Sequence, residues 1–189
     1  MSSSIVLWAI VAIVAFAAIY VLGQYNGLVA LRNHIAESWS DIDTELKRRY
    51  DLIPNLVEAV RSYARHEQEV LEMVVKIRSE CMAPHGEASR RSNADESRLS
   101  AALGRLVAVA ESYPGLKADE GFLRLQNELV ETENRIQAAR RFYNGNIRDY
   151  RNKMESFPGS LIAATFGFRP VEYLAFDSSI SRPINIRQP

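Results

Sequence analysis

Apolar residues recur at steps of three or four along most of the chain, and no segment alternates as a strand would. This spacing puts the apolar side chains on one face of a helix. Ahead of that pattern, the run from Ile5 to Leu22 is apolar without interruption. We therefore predict an all-α fold, in which a single-pass transmembrane helix continues into an antiparallel bundle of three long helices plus a shorter one, with an irregular C-terminal tail.

Four stretches interrupt the helical pattern and set the predicted boundaries. In the first, residues 46–56, Arg48 and Arg49 suit the last turn of one helix, while Asp51 suits the N-cap and Pro54 the first turn of the next. The others are a mobile polar loop at about 83–97, a turn at 113–115 and a break at 157–160. The predicted segments are an N-terminal flank (1–4), a transmembrane helix (5–23), a helical bundle (24–156) and an aromatic tail (157–189).

The apolar N-terminal run predicts a membrane anchor. At about 1.5 Å per residue it approaches the ~30 Å of a hydrocarbon core. A cleaved signal peptide is the competing interpretation, because the sequence from Ala15 to Ala17 resembles a cleavage site. However, no Lys or Arg precedes the run, and the run is longer than the roughly 7–15 apolar residues usual in such a signal. These features favour an uncleaved anchor.

The basic residues near the anchor indicate its orientation. Arg32 is the first cation after the anchor, and the N-terminal flank has no charged side chain. Because cytoplasmic flanks carry the excess of Lys and Arg, we expect the N-terminus outside the bacterial inner membrane and the domain in the cytoplasm. A periplasmic domain is the alternative.

The overall charge of the chain argues against nucleic acid as a partner, and its cysteine content excludes an internal disulfide. The chain has 23 basic and 23 acidic residues, so no overall field would attract nucleic acid, and none is expected as a partner. The single cysteine, Cys81, cannot form an internal disulfide, and it lies on an apolar helix flank where packing explains it.

Enzyme motifs are not found in this sequence. The three histidines, His34, His66 and His85, lie on separate segments and form neither a Glu-x-x-His pair nor a His-Glu-x-x-His motif. Glycine-rich phosphate loops and a Gly-x-Ser-x-Gly elbow are also missing. We therefore expect a protein that is not an enzyme, with no catalytic, cofactor-binding or metal-binding residues and no cofactor.

One stretch carries polar and charged residues on nearly every face of a helix that must also pack. It runs from Glu128 to Asn144. We interpret it as one half of a structural polar network that pairs with the break at 46–56 and fixes helix register, and a polar groove for a ligand or peptide is the alternative. The predicted network comprises Arg48, Arg49, Asp51, Asn55, Glu128, Thr132, Glu133, Asn134 and Arg135.

The tail beyond residue 160 is apolar and aromatic, with Gly167 and Pro170 preventing one long helix. Its aromatic side chains must be covered. They cap the chain's own bundle, enter the membrane surface or dock on a neighbouring subunit. The residues assigned to an oligomer or membrane contact are Phe166, Phe168, Tyr173 and Phe176.

Several of these stretches resemble the signature segments of the bacterial LemA family. They read YNGLVALRN (25–33), AESWSDID (36–43), LKRRYDLIPNL (46–56), QNELVETENRI (126–136) and FGFRP (166–170). The resemblance implies a single-pass membrane protein with an all-helical domain and no established enzyme activity or cofactor. Some members are associated with shaping intracellular membranes, and others are discussed alongside membrane proteases and envelope stress.

Two functions follow as hypotheses. The first is a membrane-anchored scaffold that self-associates and organises or remodels the bacterial membrane, with membrane lipid and further copies of the chain as its partners. The second is an adaptor that presents a polar groove to a membrane protease or another envelope protein.

Overall fold

The computed structural model describes residues 2–83 and 93–174, and within these ranges the chain forms helices and no strands. The all-α fold class predicted from the apolar spacing, including the helical bundle, is confirmed. The six helices are α1 (Ser2–Tyr63), α2 (Gln68–Met82), α3 (Asn93–Glu111), α4 (Pro114–Lys117), α5 (Glu120–Glu155) and α6 (Gly159–Phe166).

The chain divides into two compact units. The boundary between them falls inside α1 and again inside α5, so each of these helices has one part in each unit. Unit 1 contains residues 1–42 and 138–174. Among the described residues, unit 2 contains 43–83 and 93–137. Unit 1 therefore holds the apolar N-terminal run and the C-terminal segment, while unit 2 holds α2, α3 and α4.

The predicted helix break at 46–56 is wrong, because α1 is one helix of 62 residues with Pro54 inside it. A proline in a helix interior has no N–H for the carbonyl four residues earlier, which here belongs to Tyr50. In this structure Arg78 on α2 donates from Nε to the Tyr50 carbonyl oxygen at 2.7 Å. The missing hydrogen bond is thus replaced from outside the helix, and α1 continues.

The chain turns instead between Tyr63 and Gln68, where neither proline nor glycine occurs. The Glu67 N–H bonds the Ala64 carbonyl at 3.1 Å. Two tyrosine hydroxyls anchor this turn, since Tyr63 donates to Asp119 at 3.2 Å and Tyr113 donates to Glu67 at 3.4 Å. Tertiary contacts therefore place the turn where no local residue would end a helix.

Unit 2 is built around apolar stripes at the predicted spacing. α2 packs on α3, and α3 packs on α4. Each fully buried large aliphatic side chain contributes about 1.5–3 kcal/mol, so the stripes supply most of the stabilisation of this unit. The side chains that are almost completely buried are Ile53, Leu56, Val60, Val74, Leu99, Leu106, Leu116 and Ile136.

α3 begins earlier than predicted. It starts at Asn93, so residues 93–97 are helical and do not belong to the predicted loop at 83–97. Asp95 and Glu96 lie in its first turn, where carboxylates favour the positive end of the helix dipole. The remainder of that predicted loop, residues 84–92, lies outside the described part of the chain.

In unit 1, α1 and α5 run antiparallel in a steady register. The Trp39 ring lies 5.5 Å from the Tyr143 ring, and Asn146 donates to the His34 carbonyl at 3.3 Å. The Lys153 side chain lies over Gly27. Moving back along α1 towards the apolar run therefore corresponds to moving forward along α5.

After α5 the tail folds back on its own chain, and residues 159–166, predicted to be irregular, form α6. A Cβ at Gly159 would collide with the Lys153 carbonyl, so the close approach of α6 to the end of α5 requires glycine. Gly167 ends α6 with a φ of 73°, and the Phe168 N–H bonds the Ala163 carbonyl at 3.0 Å.

Side chains of α1 and α5 hold the segment that follows. The Tyr25 ring contacts Phe166 at 5.0 Å and Phe168 at 5.5 Å between ring centroids. The Asn144 amide makes two hydrogen bonds of 2.9 Å with the backbone of Leu174. Of the residues assigned to an oligomer or membrane contact, Phe166 and Tyr173 are exposed, Phe168 is half-buried and Phe176 lies outside the described residues.

We expect Arg78→Met to lower the free energy of unfolding by about 1.5–3 kcal/mol, because the Tyr50 carbonyl loses a charge-assisted hydrogen bond. In a Pro54→Ala background the same change should cost under about 1 kcal/mol, since an alanine at position 54 supplies its own N–H. Denaturant unfolding in mild detergent, followed by far-UV circular dichroism, measures both values. Arg61→Met, at an exposed position on α1, is the matched control. Equal costs for Arg78→Met in the two backgrounds would show that the hydrogen bond does not compensate for the proline.

Candidate functional site

The most polar site in unit 2 is buried. We call it the Arg49 cluster, and it comprises Arg49, Tyr50, Glu96, Ser100 and Glu133. Arg49 Nη1 lies 3.1 Å from Glu133 Oε2 and 3.7 Å from Glu96 Oε2. Arg49 also donates to the Ser100 hydroxyl, and the Tyr50 hydroxyl donates to Glu96 Oε1. Side chains of α1, α3 and α5 therefore meet at one guanidinium group.

Because the Arg49 cluster is buried, its charges contribute strongly to the free energy of unfolding. Arg49 is 2% exposed and Glu96 is 3% exposed. A buried charge costs several kcal/mol in lost hydration, which attraction between opposite charges offsets only when geometry and hydrogen bonding are good. Arg49 Nε and Glu96 Oε2 have no hydrogen-bond partner, so the cluster is not fully satisfied. Such an arrangement specifies which helices pack together more than it adds stability.

The structure brings together only part of the predicted polar network. Arg49 and Glu133 form an ion pair, and the buried Thr132 hydroxyl donates to the Glu128 carbonyl at 2.8 Å. Arg135 pairs with Glu131 at 2.9 Å on the surface, where it lowers the pKa of that carboxyl. The remaining residues of the predicted network have exposed side chains, and they are Arg48, Asp51, Asn55 and Asn134.

Three members of the Arg49 cluster, Tyr50, Glu96 and Ser100, were not in the predicted network. Glu96 fell inside the predicted mobile loop, and neither Tyr50 nor Ser100 was assigned a role in the network. The available signal was the pair Asp95 and Glu96 just before the apolar residue Leu99, which is typical of the first turn of a helix. Their contact with Arg49 depends on tertiary packing and has no local signature.

Cys81 lies next to the Arg49 cluster, and its thiol has low reactivity. Its thiol is buried and lies 3.6 Å from the Asp95 carbonyl. Burial, reinforced by the negative charge of Glu96, raises the pKa of the Cys81 thiol to about 11. Because the thiolate is the reactive form, this cysteine is a poor nucleophile at neutral pH.

The described residues offer no metal-binding cluster. Within residues 2–83 and 93–174, no three side chains of His, Cys, Asp or Glu are grouped closely enough to hold an ion. His34 is exposed and lies 3.5 Å from Glu37 on the same helix.

The second candidate site is the apolar N-terminal part of α1, in unit 1. Every residue from Ile5 to Leu22 is exposed, so no described part of the chain covers this run. It is the one described helix that is long and apolar enough to cross a membrane. Hydrocarbon is the medium that would cover such a surface.

These observations together define a class, namely a helical protein with a membrane-anchor segment and a buried ion cluster within its helical domain. The chain belongs to the LemA family, whose model matches residues 38–187. It is also similar to the magnetosome protein MamQ of Magnetospirillum gryphiswaldense, with 25% identity across 87% of this chain and 69% of that protein. Magnetosome proteins MamQ 1 and MamQ 2 of Paramagnetospirillum magneticum are 26% identical, across 93% of this chain and 73% of each.

Replacement of the central cation of the Arg49 cluster tests its role. We expect Arg49→Met to lower the free energy of unfolding by about 3–5 kcal/mol, because Glu96 then stays buried with only Tyr50 as a partner. Adding Glu96→Gln should recover part of this loss, since the neutral amide still accepts the tyrosine hydrogen bond. Arg48→Met on the exposed face of the same turn is the control and should cost under about 1 kcal/mol. Equal effects at positions 48 and 49, measured by urea unfolding in mild detergent, would show that the cluster does not hold the helices together.

Proposed function

We propose that this protein is a membrane-anchored, non-enzymatic scaffold that self-associates and organises or remodels the bacterial membrane. The observation that carries the proposal is the continuity of α1 from the apolar run to Tyr63. A helix of 62 residues is about 93 Å long at 1.5 Å per residue, and a hydrocarbon core of ~30 Å accounts for only about a third of that length.

α1 contains no linker between the apolar run and its last residue, Tyr63. Pro54 would normally weaken α1, and Arg78 compensates for it. The apolar run and residues 43–63 of unit 2 are therefore parts of one helix, and this continuity supports the proposal.

Anchoring also favours self-association. Confining chains to a bilayer raises their effective concentration, so a weak contact between copies becomes populated. The exposed aromatic residues of the tail, Phe166 and Tyr173, are candidates for contacts with lipid or with another copy.

The names of the similar magnetosome proteins place those relatives in an organelle, and this association supports a role in membrane organisation here.

For the orientation we propose an external N-terminus and a cytoplasmic domain, because Arg32 follows the anchor while the short N-terminal flank has no charged side chain. A phosphatase reporter that is active only outside the inner membrane, fused after Pro189, should be inactive. A cytoplasm-dependent fluorescent reporter at the same position should be active. The opposite pair of results would place the domain in the periplasm.

Self-association in lipid is the direct test of the scaffold. The native Cys81 is buried and is replaced by alanine, so that it does not react with the dye. The dye is then attached to a cysteine introduced as Ser112→Cys, because position 112 is exposed. We expect energy transfer between donor-labelled and acceptor-labelled chains in vesicles, lost when unlabelled protein is added in excess. Transfer no greater than that of an unrelated single-pass protein at the same protein-to-lipid ratio would contradict self-association.

Electron microscopy of the same vesicles separates the scaffold from the adaptor. A scaffold should produce regular assemblies or altered vesicle curvature as the protein-to-lipid ratio rises. Unchanged vesicles, with a monomer in detergent that copurifies stoichiometrically with one envelope protein, would favour the adaptor function instead.

A further inference from the structure

Unit 1 carries large apolar side chains that no residue in the described part of the chain covers. Phe157, in the turn between α5 and α6, is 83% exposed, and Leu161 on α6 is 60% exposed. Phe166 at the end of α6 is 54% exposed, although its ring touches Tyr25. Three such residues within ten positions leave an exposed apolar surface that water solvates poorly. We call it the α6 patch.

The register between α1 and α5 gives the position of this patch along the anchor helix. Lys153 lies over Gly27, and Asn146 bonds the His34 carbonyl, so seven residues along one helix match seven along the other. The same register places Glu155, the last residue of α5, at the level of Tyr25, three residues after the apolar run ends at Leu22, and Phe157 follows two residues later.

An independent contact agrees with this position. Tyr25 lies three residues beyond Leu22, which is about 4.5 Å along the helix axis. Phe166 is held against Tyr25 with ring centroids 5.0 Å apart. The polar layer on each side of a bilayer is roughly 5–7 Å thick. If the run from Ile5 to Leu22 fills the hydrocarbon, then Tyr25 and Phe166 lie within that layer.

The composition of α6 fits this location. Its sequence GSLIAATF contains no charged residue. One face, with Gly159, Ile162 and Ala163, is buried against the chain, and Leu161 projects from the opposite face. The outward face also carries Ser160, Ala164 and Thr165, so it is uncharged but not purely apolar. No described residue covers Leu161 on this face.

Cations lie beside the α6 patch. The Arg32 guanidinium sits 5.8 Å from the centre of the Phe168 ring, and the Lys153 side chain lies over Gly27. Aromatic side chains in the interface with Lys or Arg just outside it form the usual arrangement at a membrane boundary. A bilayer with anionic headgroups complements both parts of this surface.

We propose that the α6 patch inserts into the lipid-water interface of the same bilayer that holds the α1 anchor, with Lys153 beside the headgroup phosphates. The inference rests on the proposed membrane anchoring and adds a second membrane contact. A second membrane contact restricts the tilt of this unit on the membrane, whereas a single helix leaves it free to rotate. Lipid is favoured over a second copy because the register and the Tyr25–Phe166 contact place α6 close to the level at which the apolar run ends.

Tryptophan fluorescence in the full-length protein tests this inference. Trp8 and Trp39 are first replaced with phenylalanine, and one tryptophan is then introduced as Phe157→Trp. The matched control is Phe142→Trp, because Phe142 is 63% exposed on α5 of the same unit and lies about 22 Å farther from the apolar run. Both proteins are reconstituted in vesicles of phosphatidylethanolamine and phosphatidylglycerol, with or without lipid that carries a nitroxide close to the headgroup.

We expect the nitroxide lipid to quench the Phe157→Trp variant several-fold more than the Phe142→Trp control, and aqueous acrylamide to quench it several-fold less. Leu161→Trp should behave like Phe157→Trp and replaces it if that variant shows altered far-UV circular dichroism.

Three outcomes would overturn the inference. Protein that floats with vesicles, while tryptophans at positions 157 and 161 respond to acrylamide as the control at position 142 does, would refute the patch contact and leave the anchoring intact. Protection from both quenchers would assign the patch to a second copy of the chain. Failure to float with vesicles would refute the anchoring and the inference together.

Discussion

The Arg49 guanidinium is the interaction on which unit 2 depends. A cation that is 2% exposed has lost nearly all of its hydration, and only carboxylates placed by two other helices can compensate for it. Glu96 on α3 and Glu133 on α5 provide that compensation. An apolar stripe tolerates sliding between helices, whereas a buried ion pair does not, because a shift of one turn would leave both charges unpaired.

The residue next to Arg49 joins this cluster to the integrity of α1. The Tyr50 hydroxyl donates to Glu96, and the Tyr50 carbonyl accepts from Arg78 in place of the hydrogen bond that Pro54 cannot form. One turn of α1 therefore receives side chains from both α2 and α3. This turn is where α1 would be expected to kink, and side chains of α2 and α3 contact it there. The anchor helix consequently reaches Tyr63 without a break.

Unit 1 uses different means to bring its C-terminal segment back along α1. Gly159 permits α6 to approach the end of α5, and Gly167 reverses the chain after α6. Tyr25 then receives Phe166 and Phe168. Together these contacts hold α6, a helix with no charged residue, against α1 near the end of the apolar run.

The sequence by itself determined the helical class, the anchor, the end of α2 near Met82 and the end of α3 before Pro114, because apolar spacing and proline act locally. It also indicated Arg49 and Glu133 as polar residues on packing faces. It could not determine the path of α1 at Pro54, since proline marks a break unless a distant donor such as Arg78 satisfies the orphaned carbonyl. Only tertiary structure decided that the chain turns after Tyr63, that Glu96 belongs to the Arg49 cluster and that Tyr25 holds the tail, because each depends on residues far apart in sequence.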